Sequence, residues 1–118
     1  SDFVSVHLAL GDRTRGLVGA AELALMKPTA YLVNTSRAAI VDQDALLAAL
    51  HGGRIAGAGV DVFDIEPLPA GHPMRTAPRL LATPHLGYVS HANYTTYYGQ
   101  AVEDIQAYLA GSPVRRLP

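Results

Sequence analysis

A chain of 118 residues is long enough for one modest domain with a core, and 49% apolar content places it among globular rather than disordered proteins. A net charge of −1, with acids and bases interspersed, excludes the basic stripe of a nucleic-acid binder, and no apolar run reaches the length of a membrane span. The lack of cysteine excludes disulfides and thiolate metal sites and fits a reducing, cytoplasmic setting.

In chain order, Phe3-Val4-Ser5-Val6-His7-Leu8 alternates and is β-branched, which predicts a strand. The polar stretch 11–16 is a loop. A short helix is expected from Ala20 to Met26, stopped by Pro28. Ala30 to Asn34 reads as a second strand. Asp42 is placed to cap a helix from Gln43 to His51, which Gly52-Gly53 ends. Ile55 to Val60 is a third strand, rich in Gly and Ala, so that a helix or a cofactor can approach its backbone. Pro67, Pro69, Pro73 and Pro78 make 64–79 an ordered loop, and Leu80 to Thr83 is a short fourth strand.

The last helix is the clearest element. Tyr94, Tyr97, Tyr98, Ala101, Val102, Ile105, Tyr108 and Leu109 recur at helical spacing as one apolar stripe, closed by Gly111 and Pro113. Strands alternating with helices predict a parallel sheet. Arg37, Asp61 and His85 each stand just past an apolar run, so such a sheet gathers them at its carboxyl edge, where open α/β sheets bind ligands. An arginine, a carboxylate and a histidine suit anion binding and proton transfer.

The segments Leu32-Val33-Asn34-Thr35-Ser36-Arg37, Gly59-Val60-Asp61-Val62-Phe63-Asp64-Ile65-Glu66-Pro67 and Thr83-Pro84-His85-Leu86-Gly87 resemble, in order, three signatures of the D-isomer-specific 2-hydroxyacid dehydrogenases. The resemblance extends to Ser5-Val6-His7-Leu8 and to 22–28, covering nearly the whole chain. It implies an α/β fold, the second, nicotinamide-side half of a Rossmann-like doubly wound parallel sheet of about four strands, with a long carboxyl-terminal helix over 90–110. The family's Gly-rich phosphate loop has no counterpart in this sequence, and the first residue is not Met, so the chain is expected to be a fragment of a longer protein. Ala9, Gly11, Ala38 and Tyr88 depart from the family's usual residues, and Tyr88 bears on the choice of substrate.

The resemblance implies roles residue by residue. His85 matches the proton donor, and an imidazole with an unperturbed pKa of ~6.5 works as acid or base near neutrality. Glu66 matches its carboxylate partner, since a neighbouring anion favours the imidazolium. The related formate dehydrogenases carry Gln at that place. Arg37 matches the residue that grips the substrate carboxylate by two bonds and stabilises charge developing on the carbonyl oxygen. Asp61 faces the nicotinamide end of the cofactor by the same analogy, and capping the following turn is compatible with that. Thr35, Ser36, Arg37, His85 and Gly87 line the nicotinamide pocket, with His7 close to the cofactor through its backbone. His51 suits a helix end, His72 and His91 read as surface, and no metal-ligand spacing is present.

The expected cofactor is NAD or NADP, which this stretch does not distinguish, and the expected substrate is a small 2-keto or 2-hydroxy acid. Neither nucleic acid nor membrane is expected as a partner, and homo-oligomerisation is. Two other readings stand beside the dehydrogenase. One is a binding module like the NAD-responsive corepressors that resemble these enzymes. The other is a folding fragment without activity of its own.

Overall fold

Four short runs pair side by side in chain order: β1 (Phe3–Val6), β2 (Tyr31–Asn34), β3 (Gly57–Val60) and β4 (Leu80–Ala82), all parallel. The computed structural model describes residues 1–117, and the chain divides into two units, Ser1–Leu86 and a second that begins at Gly87. The helices are α1 (Ala20–Leu25), α2 (Gln43–His51) and α3 (His91–Leu109). Each strand and helix expected from the sequence is present. The strand ends fray earlier than expected: β1 stops at Val6 rather than Leu8, β3 starts at Gly57 rather than Ile55, and α1 stops at Leu25.

Parallel strands bury one face first through their crossovers. Val6, Leu32, Ala58 and Val60 point to one side and pack in a single core with Leu23 of α1 and Leu46, Ala49 and Leu50 of α2. Leu23, Leu32, Ile40, Leu46, Leu50 and Ile55 are almost wholly buried, and each such side chain contributes about 1.5–3 kcal/mol. The alternate positions face the other way, where Phe3 stacks on Tyr31 at 5.5 Å and both stay exposed. Gly57 lies beside Tyr31 in register, and a Cβ there would stand 2.8 Å from the Arg79 carbonyl oxygen and 3.0 Å from the Tyr31 ring. Only glycine lets these strands pair while Tyr31 lies across them.

Helix ends follow the predicted chemistry. Asp42 Oδ1 accepts from the Ala45 N–H at 3.0 Å to start α2. Gly52 ends it, followed by Gly53 with φ of 65°. Glu22 reaches back to accept from the Gly19 N–H at 2.9 Å and starts α1. Two 3₁₀ turns, Ala38–Ile40 and Pro73–Arg75, lie outside the strands and helices read from the sequence, the second within the loop 64–79. The second drives Met74 into the core, with 2% of its surface exposed. His72, read from sequence as a surface residue, caps that turn: its Nδ1 accepts from the Met74 N–H at 3.2 Å.

In the second unit, Ser90 caps α3 by accepting from the Asn93 N–H at 3.2 Å. No residue of α3 is buried, and its apolar stripe, Tyr97, Val102, Ile105 and Tyr108 included, is exposed. Arg115 returns onto the helix to pair with Glu103 at 2.8 Å and Asp104 at 2.9 Å. Among the described residues, no helix is long and apolar enough to cross a membrane.

Candidate active site

Strand register sets the site. Asn34 aligns with Val60, and Val60 with Ala82, so β2, β3 and β4 end at one level. The segments that leave them carry Arg37, Asp61 and His85, which places all three at the carboxyl edge of the sheet as the sequence predicted.

His85 is the most constrained of them. Its φ is 54°, in the left-handed region that is uncommon for residues other than glycine. Such a conformation costs of order 1–3 kcal/mol and persists only where its surroundings enforce it. Here Asp61 enforces it from below. Asp61 is 4% exposed, and its Oδ1 accepts from the Thr83 hydroxyl at 2.6 Å and from the Leu86 N–H at 2.9 Å. Those donors flank His85 on both sides. The His85 N–H donates to the Thr83 carbonyl at 3.0 Å, closing the turn.

The imidazole itself is held by Glu66. Nδ1 and Glu66 Oε2 stand 2.7 Å apart, while Glu66 Oε1 accepts from the Phe63 N–H at 2.8 Å. The His85 hydrogen bond first, and the Phe63 N–H after it, hold the Glu66 carboxyl below its ordinary value. Glu66 is thus an anion across the neutral range. A carboxylate accepts, so Nδ1 keeps a hydrogen toward Glu66, and Nε2 becomes the nitrogen that gains and loses the mobile proton. The side chains are 39% and 35% exposed, so the pair stands at the solvent boundary. It lines an open groove of about 780 Å³ with Phe63, Leu68, Arg75 and Thr83.

The Arg37 side is built differently. Buried Asn34 holds the turn, with its Nδ2 donating to the Arg37 carbonyl at 3.0 Å and its Oδ1 accepting from the Ser36 N–H at 3.1 Å. Ser36 Oγ donates to the Leu8 carbonyl at 2.5 Å, tying this turn to the segment that follows β1. The Arg37 guanidinium is exposed and donates to the carbonyl of its own neighbour, Ser36, at 2.7 Å. His7 follows β1 and bonds the Ser5 hydroxyl at 2.9 Å. Thr35 is exposed between them.

The structure therefore brings Glu66 and His85 together directly, ties Asp61 to the segment that carries His85, and leaves Arg37 on the same edge with its guanidinium on the Ser36 carbonyl. Three participants escaped the reading of the sequence. Asn34 and Thr83 lay within recognised segments without a role, although Asn at a strand end followed by Thr-Ser is a turn signal. Arg75 sits in a Pro-rich loop where no sequence pattern marks it. Among the described residues, no group of three His, Asp or Glu is arranged to hold a metal.

Residues 1–87 match the family model described as "D-isomer specific 2-hydroxyacid dehydrogenase, NAD binding domain". Over 111 residues the chain is 44% identical to the glyoxylate/hydroxypyruvate reductase B of Pectobacterium carotovorum subsp. carotovorum, covering 94% of this chain and 35% of that protein. The structure superposes on a D-isomer specific 2-hydroxyacid dehydrogenase from Xanthobacter autotrophicus Py2 with a TM-score of 0.85 at 43% identity, over 98% of this chain and 38% of that one. The same protein in complex with NADPH and MES gives a TM-score of 0.75 at 43% identity, over 98% of this chain and 47% of that one. A formate dehydrogenase from "Granulicella M." gives 0.90 at 36% identity, over 97% of this chain and 30% of that one. The chain spans about a third of the length of the curated relatives it matches.

Proposed function

The chain belongs to the D-isomer specific 2-hydroxyacid dehydrogenase family, through its NAD-binding domain, and from that membership we propose that the protein carrying it transfers a hydride between NAD or NADP and a small D-2-hydroxy or 2-keto acid. The observation that carries the reading is the Glu66–His85 pair at 2.7 Å on the carboxyl edge of a four-stranded parallel sheet. The whole of 1–118 belongs to the nicotinamide side of the cofactor domain in this reading.

The residues fit one end of a dinucleotide. The segment after β2 offers exposed Thr35 and half-buried Ser36, and within β3 a Cβ added to Gly59 would meet nothing within 4 Å. They suit a flat nicotinamide ring approached by backbone. His7 and Asp61 border the same end. The pyrophosphate end needs a Gly-rich strand–turn–helix, and this sequence contains none. When bound, the nicotinamide supplies or accepts the hydride.

The side chains do the rest. Arg37 swings from the Ser36 carbonyl to grip the substrate carboxylate with two parallel N–H donors. Its charge also stabilises the oxygen as it becomes negative. His85 gives its Nε2 proton to that oxygen during reduction and takes it back during oxidation. Glu66 stabilises the imidazolium and fixes the ring. Glu66 also favours hydroxyacid chemistry over that of the formate dehydrogenases, which carry Gln there by the resemblance described above.

The test is an assay of the complete protein for oxidation of NADH and NADPH with glyoxylate, hydroxypyruvate or another small 2-keto acid. Turnover with wild type and its loss in His85→Ala support the reading. Equal activity in the two refutes it. Self-association belongs to the same reading, because α3 presents a continuous exposed apolar stripe. Sedimentation showing a clean monomer at micromolar concentration would remove that part alone.

A further inference from the structure

We propose that Arg75 is a positioning residue for the Glu66–His85 pair, acting through the backbone of Leu68 and Pro69; the proposal rests on the dehydrogenase reading of that pair. The problem Arg75 solves is visible in the loop. Glu66 must meet two partners at once, the Phe63 N–H with one oxygen and His85 Nδ1 with the other. That fixes the plane of the carboxylate and so the backbone that carries it. The residues that follow are Pro67-Leu68-Pro69. Two of the three have no N–H to donate, so carbonyl oxygens are the handles by which this stretch can be held.

Arg75 takes both handles. Its Nε donates to the Pro69 carbonyl at 2.8 Å, and its Nη2 donates to the Leu68 carbonyl. A guanidinium is a rigid planar fork, and two adjacent carbonyls match it in a way a single ammonium cannot. The Pro69 carbonyl also accepts from the His72 N–H at 3.0 Å. Arg75 is itself fixed to the core, because it closes the 3₁₀ turn that buries Met74. The chain of support runs from Met74 through Arg75 and the 68–69 backbone to Glu66, and from Glu66 to the imidazole. Arg75 also lines the groove that Glu66 and His85 share. The charges that act on Glu66 are His85 and Asp61, whereas the Arg75 guanidinium is directed to the Leu68 and Pro69 carbonyls.

A role confined to loop stability and a role in positioning give different readouts. In the complete protein with labelled histidine, NMR follows the pH at which the His85 ring changes protonation, with Glu66→Gln as reference. Arg75→Ala is expected to move that transition toward lower pH, in the same direction as Glu66→Gln. It is expected to lower kcat for keto-acid reduction by about tenfold, the scale of one charged hydrogen bond, with KM changed less than kcat. In the Glu66→Gln background, Arg75→Ala should add less than about twofold, because the two act on one element. Arg75→Lys, which keeps the charge without the fork, should restore only part of the loss.

A His85 transition and a pH profile at their wild-type positions in Arg75→Ala would overturn the proposal, as would an effect that multiplies in full with Glu66→Gln. If Arg75→Ala does not fold, Arg75→Lys decides: a shift of the same sign supports the role, and a wild-type transition overturns it. The NMR transition is read without substrate. An enzyme that reduces no keto acid would therefore refute the proposed function while leaving this test intact.

Discussion

The two sides of the carboxyl edge are held in different ways. Around His85 the side chain itself is fixed: Asp61 clamps both flanks of its turn, and Glu66 holds the ring at 2.7 Å. Around Arg37 the backbone is fixed by Asn34, while the guanidinium rests on the Ser36 carbonyl at 2.7 Å and stays exposed. The difference follows from what each group is proposed to do. A proton donor must be aligned before the reaction, since misplacement by an ångström costs rate. A long cationic side chain can close on its anion when the anion arrives. The His85 side is therefore expected to govern turnover and pH dependence, and the Arg37 side to govern affinity for the acid.

Substitutions in the complete protein can break or sharpen that contrast. His85→Ala should lower kcat roughly 10²- to 10⁴-fold, the usual reach of general acid–base catalysis, with a much smaller change in KM. A loss that falls mainly on KM would reverse the assignment. Next in size is Arg37→Lys. Losing the two-pronged grip removes about 1.5–3 kcal/mol of charge-assisted bonding, so kcat/KM for keto acids should fall about 10- to 100-fold, chiefly through KM. Wild-type affinity for keto acids in that variant would remove the anchoring role.

Smaller effects separate the supports. Asp61→Ala leaves the Thr83 hydroxyl and the Leu86 N–H without their acceptor, a cost of about 1–3 kcal/mol. Asn34→Ala does comparable damage at the Arg37 turn. Thermal denaturation should show similar losses for the two, whereas kinetics should show lower kcat for Asp61→Ala and higher KM for Asn34→Ala. Identical kinetic signatures would mean that the two sides are not independent.

The smallest effect is on stability against pH. The folded Glu66 carboxyl is held below its ordinary value by His85 and the Phe63 N–H. A depressed carboxylate adds stability in full above its unfolded value, ~4.3, and loses it as pH falls through the folded value. Denaturant titrations between about pH 5 and pH 2 should show wild type losing slightly more stability than Glu66→Gln. Parallel curves would show that the pair adds nothing to folding.

Periodicity and punctuation in the sequence make most of the fold legible. The limits of α2 came from Asp42 and Gly52-Gly53, and both act at its ends in the structure. Strand ends were less legible because pairing, rather than local propensity, decides where a strand stops. His7 and Leu8 alternate like the rest of β1, yet no residue of β2 pairs with them. The Glu66–His85 pair was legible through resemblance, not spacing, because only the fold brings residues so far apart in sequence to 2.7 Å. Asp61 was expected at the cofactor, and the structure adds the clamp on the His85 turn. Arg75 could not be read at all. Its role depends on two carbonyls whose orientation is fixed by the 3₁₀ turn, and no sequence period encodes that.

The pH dependence of keto-acid reduction in wild type and Glu66→Gln tests most directly whether His85 and Glu66 act as one proton-handling unit. In the proposed reaction, reduction requires a protonated imidazole, and an anionic neighbour favours that form. Glu66→Gln replaces the carboxylate 2.7 Å from Nδ1 with a neutral amide and so removes the charged partner of the imidazolium. The alkaline limb of kcat is therefore expected to move to lower pH in Glu66→Gln, in a protein whose fold and KM for the acid are little changed. Superimposable profiles for the two proteins would contradict the account.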